Sequence, residues 1–91
     1  MADEVRDNPE LSRFELVVGN QTAFSEYERS GDTITFLHTD VPQVLEGRGV
    51  GSRLIKGALD LARARGLKVA SQCPFVTGWL GKHPEYGDLR A

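Results

Sequence analysis

Three glycines, Gly47, Gly49 and Gly51, alternate along "EGRGVGS" where an extended segment runs into an amphipathic one. Glycine takes positive φ and lets backbone approach a ligand closely, so successive N–H groups can converge there on an anion at a helix N-terminus. One glycine would be enough for a tight turn, so three at this spacing suit a phosphate cradle. A P-loop is excluded because Gly51 is followed by Ser52 and Arg53 rather than by lysine and a hydroxyl residue. A dinucleotide fingerprint fits poorly: counted from Gly47 its third glycine is Ser52, and counted from Gly49 it is Leu54. Arg48, Arg53 and Lys56 are either a positive rim for phosphates or a solvated helix face.

Two further residues could do chemistry. Cys73 is the only cysteine and immediately precedes Pro74 at a predicted helix N-terminus, where a thiolate is stabilised. The competing role is that of a small buried hydrophobe. His38 follows Ile34 and Phe36 at alternate positions, which predicts a shared strand face and, through the pairing described next, a place near Cys73 as a base. On that face a half-buried packing histidine is the simpler alternative. Tyr86 is a candidate proton donor to a leaving thiolate, or part of a turn with His83 and Pro84, whereas Phe75 and Trp79 read as core or pocket wall. One cysteine and two distant histidines have no metal-ligand spacing, so no metal is expected.

The elements that must hold these residues follow from periodicity. "RFELVV" alternates, Gly19-Asn20 is a two-residue hairpin signal into "QTAFSEYER", and Ser30-Gly31 turns that strand into "DTITFLHT". Three antiparallel strands result. Val50, Leu54, Ala58, Leu61 and Ala62 then form a helical apolar stripe of about four turns, ended by Gly66. "LKVASQ" reads as a strand, and a strand, crossover helix and strand predict parallel pairing of residues 67–72 with 32–39. Pro74 opens a short helix to Leu80, interrupted at Gly78, and "KHPEYGDLRA" reads as turn and tail. Residues 1–7 are expected to be loose, with Val5 able to start a short edge strand.

At 91 residues the chain is expected to form a single domain, 1–91, with one modest core. The 40% hydrophobic and 26% charged composition is that of a globular protein, and a net charge of -2 gives no general footprint for nucleic acid or a membrane surface. With no signal peptide, no membrane-length apolar run and no possible internal disulfide, a cytoplasmic location is expected.

"VPQVLEGRGVGSRLI" resembles the acetyl-CoA pyrophosphate loop of the GNAT acyltransferase superfamily. Together with "RFEL", "HTDVP", "CPFV" and "HPEY", in this order, it resembles the small GNAT-like N-acetyltransferase-domain family with its Cys-Pro-Phe motif, over nearly the whole chain. The resemblance implies a compact GNAT-like α/β fold: a mixed, mostly antiparallel sheet, one long crossover helix and a short C-terminal helix. It also implies that Val41 and Gly47, Arg48, Gly49, Val50, Gly51 and Ser52 line acetyl-CoA, with Thr39 and Cys73 flanking the thioester where two strands splay. Glu46 departs from the superfamily pattern, which has glutamine or arginine there, and the helical segment that shapes the acceptor side of longer members is missing. The implied activity is transfer of an acetyl group from acetyl-CoA to an amine acceptor, possible through Cys73 or by direct attack. The alternative is a non-catalytic module that binds CoA or acetyl-CoA.

Overall fold

The computed structural model of the chain describes residues 4–91. Five strands make one sheet in chain order: β1 (Arg6–Asn8), β2 (Arg13–Val18), β3 (Gln21–Ser30), β4 (Thr33–Asp40) and β5 (Lys68–Ser71). The first four are antiparallel neighbours and β5 is parallel to β4. The reason is connectivity. Tight turns at Gly19, φ 64°, and Gly31, φ 58°, return the chain antiparallel, whereas the helix α1 (Val50–Ala64) carries it back across the sheet. Pairing Ile34 with Val69 and Phe36 with Ser71 confirms the predicted parallel unit.

Side chains alternate between a dry and a wet face. Phe14, Leu16, Ala23, Tyr27, Ile34, Phe36 and Val69 are buried under Val50, Leu54, Ile55, Ala58, Leu59 and Ala62 of α1. A second helix, α2 (Pro74–Lys82), adds Val76, Trp79 and Leu80 to the same core. It runs unbroken through Gly78, so the expected interruption does not occur; a lone glycine lowers helix stability by only about 1 kcal/mol. Burying this apolar surface is the main stabilising term, about 25 cal/mol per Å² removed from water. On the other face Val17 and Leu37 remain exposed.

The ends are more ordered than the sequence suggests. Residues 1–3 of the segment expected to be loose lie outside the described residues, but β1 pairs with β2 and Val5 packs against the core. Tyr27 donates a 2.6 Å hydrogen bond to Asp7 Oδ1, and Arg65 holds Asp7 Oδ2 at 2.7 Å. That bridge ties β1 to the sheet and to the end of α1. At the other terminus Pro84–Leu89 forms a 3-10 helix, and the Ala91 N–H donates to the Val69 carbonyl at 2.9 Å, extending the sheet beside β5.

Burial, then the bond to Asp7, pushes the Tyr27 phenol up to about 12. Because the folded phenol stays neutral where the unfolded one ionises, this contribution is complete below about pH 10 and is lost as pH rises toward 12. Alkaline unfolding should therefore begin above pH 10. In Tyr27→Phe, denaturant titrations at neutral pH should show a loss of about 1 kcal/mol, and the alkaline decline should be shallower. An unchanged decline would remove Tyr27 as its source.

Candidate functional site

The site starts at an irregularity in β4. Tyr27 pairs with Phe36 and the preceding Glu26 pairs with His38, so Leu37 is an extra residue. A bulge of this kind inverts the alternation beyond it. His38 accordingly leaves the Ile34 and Phe36 face: it is exposed, opposite Glu26, with its ring 6.5 Å from Phe24. The expected shared face is overturned, and Thr39 takes the inward place, opposite the fully buried Ser25. Hydrogen bonding to the neighbouring strand stops nearby, at Gln72 N–H to Phe36 C=O, 2.8 Å. Past that point β4 runs on to Asp40 while the other strand turns into α2, so the two part.

Chain leaving β4 forms a 3-10 turn, Gln43–Leu45, anchored by buried Leu45. Gly47, φ 84°, and Gly49, φ 73°, are in the left-handed region that other residues rarely adopt. Gly49 is the N-cap of α1 and supplies no side-chain bond, so the first-turn N–H groups lack both intrahelical and side-chain acceptors, and the residues that carry them, Val50, Gly51 and Ser52, border the opening. Gly51 has another role. A Cβ there would lie 2.8 Å from the tip of the Phe75 ring, so its absence lets that ring rest on the helix start.

Together these parts enclose an open cleft of about 530 Å³. Of the predicted binding residues, Thr39, Val41, Gly47, Gly49, Val50, Gly51 and Ser52 line it, joined by Asp40, Leu45, Glu46 and Phe75. The Arg48 side chain is exposed and not part of the lining. Ser52 is held from behind: its hydroxyl accepts a 2.8 Å bond from Trp79 Nε1. Lys56 is drawn toward Asp60 at 3.2 Å, and that bond raises its pKa.

Cys73 sits one layer behind the cleft wall. It is 3% exposed, and its Sγ lies 3.4 Å from Thr39 Oγ1. Although it is the N-cap of α2, its side chain makes no capping bond, so its polar partner is Thr39 rather than the helix amides. Ser71 Oγ fixes its backbone, accepting from Cys73 N–H at 3.2 Å and donating to its carbonyl at 3.0 Å. Tyr86 lies elsewhere. Its hydroxyl donates to Asp60 Oδ1 at 2.8 Å, and burial together with that bond raises its pKa. His83 stacks on Trp79 with ring centroids 3.6 Å apart. Ser25 was not singled out from sequence; the available signal was a hydroxyl on β3 between inward Ala23 and Tyr27. Among the described residues no group of three or more metal-ligating side chains occurs, and no helix is long and apolar enough to cross a membrane.

Both the sequence and the fold are similar to those of known proteins. The family model for GCN5-related N-acetyl-transferases matches residues 13–89. The chain belongs to this family. A GCN5-like candidate N-acetyltransferase from Staphylococcus aureus, known from its solution structure, is 28% identical and superposes with a TM-score of 0.74 over 100% of this chain and 91% of its own. Protein NATD1 of Homo sapiens is 36% identical over 59 residues, 64% of this chain and 52% of that protein. Its Xenopus tropicalis counterpart is 32% identical over 59 residues, 64% of this chain and 54% of its own. The chain thus spans about half the length of the curated relatives it matches. Family membership agrees with the expected compact GNAT fold.

Replacing Gly51 tests how the cleft wall is built. Gly51→Ala should leave stability within about 1 kcal/mol, because improved helix propensity offsets the displacement of a half-exposed ring. In a Phe75→Ala background, where nothing needs to move, the same change should stabilise by about 0.5–1 kcal/mol. Thermal unfolding of the four chains measures both, and a cost of Gly51→Ala undiminished by removing Phe75 would place the obstruction elsewhere.

Proposed function

We propose that residues 1–91 act as an acetyl-CoA-binding domain that transfers an acetyl group to an amine acceptor. The observation that carries this reading is the cleft formed where β4 and β5 part, floored by the uncapped α1 N-terminus with Gly47 and Gly49 in left-handed conformations. The fit to an anion is local: nothing lies within 4 Å of a Cβ built at Gly47 or Gly49, so phosphate oxygens can reach the amides. Val41, Gly47 and the run from Gly49 to Ser52 hold the pyrophosphate and the adjoining arm. Acetyl-CoA supplies an activated acetyl thioester and needs no metal. Family membership supports the same class of reaction.

At the reacting end, backbone amides from Thr39 to Val41, where β4 ends, stabilise charge on the carbonyl oxygen. In the two-step route Cys73 Sγ attacks the thioester carbonyl; a new sulfur–carbon bond forms, the bond to the CoA sulfur breaks, and CoA leaves carrying the thiol proton. An amine nitrogen then attacks acetyl-Cys73, forming the amide and restoring the thiol as the amine loses a proton. In the one-step route the amine attacks acetyl-CoA directly, and Cys73 serves packing. His38 was the sequence candidate for the base in this chemistry, but its exposed position opposite Glu26 does not support that role. A second reading, CoA binding without turnover, draws on a specific observation: His38 and Tyr86, the candidate proton carriers, both lie outside the cleft lining.

Calorimetry with CoA tests the site. Gly49→Asp should abolish binding while leaving the fold intact, because aspartate tolerates the left-handed region better than most residues and suits an N-cap. Its charge, however, repels phosphate. Unchanged affinity in Gly49→Asp would exclude the glycine loop as the phosphate site.

Glu46 allows a separate measurement, since it lines the same cleft with a carboxylate. Glu46→Gln should tighten CoA binding by up to about fivefold at low salt, with the gain shrinking as salt rises. Weaker binding would show that the carboxylate supports the loop. Turnover against a panel of amines separates transferase from binding module, and intact mass after acetyl-CoA incubation separates the two routes: a hydroxylamine-labile acetyl absent from Cys73→Ser marks the first.

A further inference from the structure

Ser25 is the only polar side chain wholly buried among the described residues, and it faces inward on β3 between Ala23 and Tyr27. Its hydroxyl has one hydrogen-bond partner there, Thr39 Oγ1 at 2.9 Å. Thr39 in turn has two, Ser25 Oγ and Cys73 Sγ at 3.4 Å. The direction of this chain follows from burial. A hydroxyl carries one proton, and leaving it unbonded in a dry interior costs about 1–3 kcal/mol. If the thiol donated to Thr39 and Thr39 to Ser25, the Ser25 proton would have no acceptor. The opposite sense leaves over only the thiol proton, and a thiol is a weak donor whose missing bond costs less than a hydroxyl's: Ser25 donates to Thr39, which frees the Thr39 proton to point at sulfur.

We propose that Ser25 and Thr39 form a directional hydroxyl chain that presents a hydrogen-bond donor to Cys73 Sγ, making Ser25 a positioning residue for the reaction at that sulfur. A donor aimed at sulfur favours the thiolate, which is the nucleophile, and orients its lone pairs. The bulge at Leu37 is what makes the chain possible, because without it Thr39 would face the wet side. Thr39 also lines the cleft, so the sulfur is held directly behind a residue in position to meet the thioester. Ser71 meanwhile fixes the cysteine backbone, leaving the thiol direction to Thr39.

The proposal rests on the reading of Cys73 as an acetyl acceptor, but its test does not. The single cysteine of the whole chain can be alkylated with iodoacetamide and followed by intact mass. Thr39→Val keeps the shape and removes the donor, and should slow alkylation about tenfold; Thr39→Ser should stay within about twofold of wild type. Ser25→Ala should slow it by about threefold, with CoA affinity unchanged, and should have no further effect when added to Thr39→Val, because both act through one bond. Thermal midpoints confirm that each variant is folded. Equal slowing by Ser25→Ala with and without Thr39, faster alkylation in Thr39→Val, or a wild-type sulfur inert to the probe would overturn the chain. If alkylation follows the expected pattern while acetyl-CoA leaves no acetyl on Cys73, the hydroxyl chain stands and the acceptor reading falls.

Discussion

An extra residue in a strand has to go somewhere, and in β4 it goes outward as Leu37, between the pairs Tyr27–Phe36 and Glu26–His38. Everything that follows in the chain inherits that displacement. The inward side chain after Phe36 becomes Thr39, and the strand bends out of line with β5, whose last backbone bond is to the Phe36 carbonyl. Unpaired strand edge near a dry core would ordinarily be a liability. Here the gap is closed at its base by the Ser25, Thr39 and Cys73 side chains and left open above, where the cleft lies. The bulge therefore creates the opening and selects the side chains that face it.

The second constraint is electrostatic. With a net charge of -2 the chain has no broad positive field, and Asp40 and Glu46 both border the cleft. For the proposed CoA, attraction rests on partial charges of backbone amides at short range, where the helix dipole acts within its first turn. That accounts for the geometry of the loop. Left-handed Gly47 and Gly49 set the entry angle of α1, and Gly49 adds no side chain that would compete for the amides. Phe75, resting on Gly51, closes the lower wall with apolar surface.

Much of this was legible in the sequence because it depends on local chemistry. The hairpins at Gly19 and Gly31, the apolar stripe of α1 and the left-handed Gly66 that ends it all have short-range signals. Parallel pairing of β4 with β5 followed from the handedness of crossovers. The place of His38 was misjudged because strand alternation assumes an unbroken pleat, and the bulge depends on registry with β3, about ten residues earlier. Tyr86 was similarly out of reach: its bond to Asp60 joins residues distant in sequence. Ser25 had a local signal in its inward place, but its partners, Thr39 and then Cys73, come from two other elements. Residues 4–7 read as loose because their stabilising contacts, Asp7 with Tyr27 and Arg65, are all long-range.

Trp79 is the sole tryptophan of the chain. Its indole N–H reaches Ser52 at the cleft wall, its face stacks on the His83 imidazole, and Tyr86 meets it edge-on. A single fluorophore thus bridges α1 and α2 with one end touching the lining of the cleft. Its emission reports on the joint between the two helices, and a ligand that draws Ser52 away changes the polarity around the indole nitrogen. The fold carries its own optical gauge of whether the cleft is filled, with no label added.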